Sequence, residues 1–172
     1  MVAAALRGPG LRGRKQMSKI LAPTRGGEAS YSNQDRVIVL AKEKKAELYF
    51  LYITDISFLD RISSPVLIDV EEELDEMGRF VLTMAQERAA KQGVSAEAMV
   101  RRGQFKDVLN KVIVELGADF LIVGSPATGD AFTTFDFLKD LAAEVAATHQ
   151  IETIILSEGE IVYEHKPEGS MN

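Results

Sequence analysis

Gly117-Ala118-Asp119-Phe120-Leu121-Ile122-Val123-Gly124-Ser125 is the stretch that decides the fold. Phe120 to Val123 form a short apolar run closed by Gly124, the pattern of a strand buried on both faces. Upstream, Val108, Leu109, Val112 and either Ile113 or Leu116 recur at helical spacing, so residues of about 105–116 read as a helix ending at Gly117. Downstream, a helix is expected from Phe135 to about Thr148, and Ile151 to Leu156 reads as a further strand. A buried strand between two amphipathic helices is a β-α unit.

Towards the N-terminus the unit repeats. Ile20-Leu21-Ala22 is a strand that stops at Pro23, and Thr24-Arg25-Gly26-Gly27 is a turn. Residues of about 29–45 read as a helix with Val37, Leu40 and Ala41 on one face, and Leu48 to Ile53 as a second strand. The longest helix is expected from about Asp69 to Gln92, with Val70, Leu74, Met77, Val81, Met84 and Arg88 as its apolar stripe. Its start is acidic and its end basic, matching the helix dipole, and Gly93 stops it. Glu97 to Arg101 is the third strand.

Strict alternation predicts a three-layer α/β/α domain with a five-stranded parallel sheet. Strands one, two and four are apolar throughout and belong inside the sheet. Strands three and five carry Glu97, Arg101, Glu152 and Thr153 and belong at its edges. The expected order is therefore 3-2-1-4-5. Ligands of such sheets bind where the order reverses, beside the C-terminal ends of strands one and four. That places the candidate site at Pro23–Gly27 and Gly124–Gly129.

Composition narrows the function classes. The chain has 172 residues and a net charge of −6, with four cations and no acid among residues 1–16. The remainder holds about −10, which repels phosphate backbones and argues against nucleic acid. No apolar run reaches the roughly 20 residues needed to cross a bilayer, so no membrane partner is expected. The absence of cysteine excludes thiolate chemistry and fits a reducing, cytoplasmic setting. With two histidines a multi-histidine metal centre is not expected. Residues 1–16 read as a disordered basic extension or an over-called start ahead of Met17, or as an Arg-rich targeting segment. The domain is expected over 17–157, with a C-terminal extension at 158–172 that carries strand character at 160–164.

Lys19-Ile20-Leu21-Ala22-Pro23-Thr24-Arg25-Gly26-Gly27 and Gly117 to Ser125 resemble the universal stress protein family, and element order and spacing match over about 18–157. The resemblance implies a homodimer formed through the last strand. In members that bind ATP, it also implies a phosphate loop of the form Gly-x2-Gly-x9-Gly-Ser/Thr after the glycine-serine. Glycines there let backbone N–H groups approach the phosphates, and a helix N-terminus completes the cradle. This chain departs from that pattern. Ala127 stands three residues after Gly124, the next glycine is Gly129, and Lys139-Asp140 lie where Gly-Ser/Thr is expected. The family's acid after the strand-one proline falls on Thr24.

Two readings follow from the resemblance. One is a non-enzymatic, dimeric stress or regulatory module that acts through association with an unidentified protein partner or through an undefined small ligand. The other is an ATP- or AMP-binding domain using Pro23, Thr24, Arg25, Gly124, Ser125, Gly129 and Lys139.

Other features carry weaker signals. Ser125 and His149 do not make a hydrolase triad, because a helix of about 20 Å separates them and Gly-x-Ser-x-Gly is absent. The run Asp69, Glu71, Glu72, Glu73, Asp75 and Glu76 reads as a solvated helix start rather than a cation site. Residues 56–68 are apolar enough either to cover the domain's own core or to form a lid or subunit contact. Residues 160–164 are expected to cover the edge of strand five, within the chain or across a dimer.

Overall fold

The computed structural model of the chain describes residues 16–56, 64–125 and 134–170. The elements in order are β1 (Lys19–Pro23), α1 (Glu28–Lys44), β2 (Glu47–Thr54), α2 (Ser64–Lys91), β3 (Ala96–Arg102), α3 (Phe105–Leu116), β4 (Phe120–Gly124), α4 (Phe135–His149), β5 (Glu152–Ser157) and β6 (Glu160–His165). One sheet runs β3-β2-β1-β4-β5-β6. The first five strands are parallel and β6 is antiparallel to β5. The expected order holds, and a sixth strand extends it.

Strand alternation divides the core in two. Ile20, Ala22, Phe50, Ile122, Ile154 and Leu156 pack against α1 and α2 on one face. Leu21, Leu51, Leu121, Val123 and Ile155 pack against α3 and α4 on the other. Period-two side chains on strands buried on both sides produce this division directly.

The string that decided the fold is itself structural. Gly117 takes a left-handed φ of 64° and its N–H caps the end of α3, while Ala118 N donates to Ile113 O at 3.1 Å. Asp119 then clamps the start of β1: its carboxylate accepts from Lys19 N at 2.9 Å and its own N–H donates to Lys19 O at 2.9 Å. Gly-Ala-Asp thus ends a helix and sets the register of the two central strands.

The longest helix differs from expectation in two ways. It begins at Ser64, so part of the apolar 56–68 segment is helical; residues 57–63 lie outside the described residues. Its buried face is also rotated. Asp75, Leu82, Ala85 and Ala89 face the sheet, whereas Met77 and Met84 from the expected stripe are exposed. The cause is Gly78: a Cβ there would lie 2.5 Å from the ring of Tyr52 on β2. Small residues let α2 sit close to the sheet, and close approach outweighs the larger apolar stripe.

The outer edge of β5 is covered within the same chain. Ser157↔Glu160 and Leu156↔Ile161 start the antiparallel pairing around the Glu158-Gly159 turn. Thr153, read as an edge residue, is consequently buried, because β5 has neighbours on both sides.

Candidate functional site

The reversal between β1 and β4 forms the switch point. Their pairing is recorded at Ile20↔Phe120 and Leu21↔Leu121, close to the strand starts, while β1 with β2 and β4 with β5 each pair over five residues. The central strands therefore part towards their C-terminal ends, where Pro23, Thr24, Gly124 and Ser125 stand. These strand ends stand where topology expects a crevice.

Its rim is occupied by the chain's own groups. Thr24 N donates to Leu51 O at 2.9 Å, and its Oγ1 accepts from Gln34 Nε2 at 2.9 Å and from Gly26 N at 3.4 Å. Gln34 is buried in α1. The hydroxyl standing where the family has an acid is thus tied to α1. Ser125 N donates to Leu156 O at 2.6 Å. Arg25 is exposed on the turn.

The glycines of this rim have packing reasons. Gly26 and Gly27 adopt φ of 77° and 81°, which the turn into α1 requires. A Cβ on Gly26 would lie 2.5 Å from Val81 Cγ1 of α2. A Cβ on Gly124 would lie 2.8 Å from Asn33 Nδ2, and Asn33 Oδ1 accepts from Gly159 N at 2.9 Å. Asn33 therefore bridges α1, the end of β4 and the β5–β6 turn.

Lys139 sits in the first turns of α4. Its Nζ pairs with Asp136 at 3.2 Å and lies 4.9 Å from the centre of the Phe135 ring. Thr134 caps this helix by accepting from Phe137 N at 3.1 Å. Gly129 and Ala127 lie outside the described residues. Pro23, Thr24, Gly124 and Ser125 come together at the strand ends, whereas the described partners of Lys139 belong to its own helix. His149 is half-buried at the far end of α4, 2.7 Å from Asn110 Oδ1.

A polar cluster beside the β2 and β3 ends was not anticipated. Asp75 is buried, accepts from Thr54 Oγ1 at 3.1 Å, and takes two bonds from Arg102 at 2.8 and 2.5 Å. Glu71 joins through Arg102 at 3.2 Å. Two members of the acidic run are therefore engaged rather than solvated. Asp75 is in phase with Gly78, Leu82 and Ala85, and that phase was the available signal. Asn33 and Gln34 offered a comparable one, as adjacent amides inside an amphipathic helix.

The Arg102 hydrogen bonds hold the Asp75 carboxyl below the ordinary carboxylate range, assisted by Thr54 and opposed by burial. A carboxyl lowered on folding contributes stability above its unfolded value of about 4 and loses it as pH falls through the folded value. Asp75→Asn should lower the urea midpoint at pH 7, and its deficit should shrink below about pH 4. A constant deficit across that range would show that Asp75 acts by packing alone.

Reversed strand order with glycine-bearing turns at the reversal defines a doubly wound α/β protein with a switch point between β1 and β4. Residues 17–132 match the model of the universal stress protein family, and the chain belongs to that family. It is 27% identical over 117 residues to the universal stress protein YxiE of Bacillus subtilis, covering 63% of this chain and 78% of that protein. The universal stress protein UspA of Lactobacillus plantarum superposes with a TM-score of 0.63 at 19% identity, over 83% of this chain and 99% of that one. A universal stress protein of Arabidopsis thaliana with AMP bound superposes with a TM-score of 0.52 at 18% identity, over 81% and 91%. At such identity the two structures share the fold.

Proposed function

We propose that this chain is a non-enzymatic regulatory module that acts through association, and that its switch-point crevice does not hold ATP as a phosphate cradle. The observation carrying this reading is Asn33. Its amide stands 2.8 Å from where a Gly124 side chain would begin and is held by the Gly159 N–H. The space a glycine leaves for a ligand is filled by this chain's own side chain. Thr24 supports the reading in a second way, since the acceptor positions of its hydroxyl, which stands where the family has an acid, are taken by Gln34 and the turn. The described half of the crevice does not fit a nucleotide triphosphate, and no chemical step is assigned to one.

A second reading is AMP or ATP binding in the same crevice. The AMP in the Arabidopsis relative favours it, and so does the parting of β1 and β4 towards their C-terminal ends. Denaturing the purified protein and separating the released small molecules distinguishes the two. No stoichiometric nucleotide is expected; one equivalent of AMP or ATP per chain would establish the second reading.

The homodimer belongs to the first reading in altered form. β6 covers β5 within the subunit, so a two-fold strand contact has the outer edge of β6 to use rather than β5.

A further inference from the structure

We infer that the outer face of α2 is a docking surface for a basic amphipathic helix of another protein. Met77, Phe80 and Met84 are 55%, 67% and 42% exposed. At 100° per residue they fall within about 60° of one another around the helix axis. Their spacing of three and four residues is that of the anchors in helix-in-groove recognition. Large apolar side chains turned to solvent in one stripe mark an interaction site more than isolated ones do. Methionine suits the role because its flexible, polarisable side chain fits varied partners.

Charge selects the partner. Asp69, Glu73, Glu76 and Glu87 are exposed on the same face, and Lys91 is the one cation there among the described residues. Arg88, at its flank, is engaged by Asp35 at 3.3 Å and by the ring of Tyr31 at 4.2 Å. A cavity of about 90 Å³ beside Met84, bordered by Tyr31 and Arg88, offers a recess between α1 and α2 for an apolar side chain. Apolar anchors ringed by carboxylates complement leucines flanked by lysines or arginines. A second copy of this chain fits less well, because it would bring the same net acidic stripe to both sides of the contact. This inference rests on the association reading and names the partner's chemistry. Nucleotide in the crevice would overturn that reading and leave the α2 surface intact.

The test uses a fluorescent synthetic helix of about 18 residues, five turns, with leucines on one face and lysines on the other. Its counterpart carries glutamates for the lysines. Anisotropy with the full chain should show saturable binding of the lysine helix and none of the glutamate helix. Phe80→Glu should weaken binding by about tenfold or more, as expected for a central aromatic anchor. Met77→Gln with Met84→Gln, which adds no charge, should weaken it as well. Glu160→Gln with Glu164→Gln, on β6, should leave it unchanged, which separates docking from general attraction to an acidic protein.

Equal binding by the Phe80 and methionine variants would overturn the proposal, as would equal loss in the β6 variant. Binding that appears only when residues 1–16 are removed would assign the face to the chain's own basic segment. A dimer that dissociates on Phe80→Glu would assign it to a second copy. Either result would also overturn the proposal.

Discussion

Gly78→Leu is expected to destabilise the domain by about 3 kcal/mol, the upper part of the range for overpacking a filled interior. The position is helical, so a larger residue gains helix propensity of up to about 1 kcal/mol over glycine. That gain cannot offset the collision, because even a Cβ would stand 2.5 Å from the Tyr52 ring. The helix must then lift from β2, and Leu82, Ala85 and Ala89 lose contacts along its buried face. Urea unfolding measures the loss, and the discriminating comparison is the double variant with Tyr52→Ala. Removing the ring should recover much of the deficit, since the two residues share one space. Additive losses would show that α2 is not seated by this contact.

The second large effect concerns the C-terminus. A chain ending at Ser157 keeps the five parallel strands but loses β6, which packs Ile161 against one core and Tyr163 against the other. Burying such side chains contributes about 1.5–3 kcal/mol each when complete, and these two are partly buried. The shortened chain should lose about 3 kcal/mol and self-associate as concentration rises, because β5 then presents an unpaired edge beside Ile155 and Leu156. A chain ending at His165 should behave like the full chain in both respects. Sedimentation velocity and urea unfolding check both expectations. A monomeric, fully stable chain ending at Ser157 would mean that β6 is a decoration on the fold.

Most of the architecture was legible because strand burial is written in composition. Phe120 to Val123 and Leu48 to Ile53 carry no polar residue inside their runs, and both strands are central. The rotation of α2 was not legible from its stripe. Met77, Val81 and Met84 have the stronger apolar pattern, but Gly78, Ala85 and Ala89 permit closer approach, and period alone does not weigh size against hydrophobicity. Thr153 misled in a similar way. A polar residue suggested an edge, yet β6 pairs there and buries it.

The site was legible as a place and not as a chemistry. Topology put Pro23, Thr24, Gly124 and Ser125 at the strand ends. That Gly124 faces Asn33 depends on α1 crossing above β4, which no local pattern encodes. Of the two glycines that resembled the remains of a cradle, Gly124 faces the amide of Asn33 and Gly129 lies outside the described residues; Gly26 and Gly27 serve the left-handed turn into α1 and the approach of Val81. Lys139, aligned with the phosphate anchor by spacing, is engaged with Asp136 and Phe135 on its own helix.

The claim that the chain fills its own crevice is tested most directly by thermal unfolding with and without 1 mM ATP or AMP, in magnesium. A ligand present at about 100 times its dissociation constant stabilises by about 2.7 kcal/mol, which for a domain of this size raises Tm by about 5–10 °C. The account predicts no shift with either nucleotide. A rise of that size that persists in the presence of excess salt would contradict it.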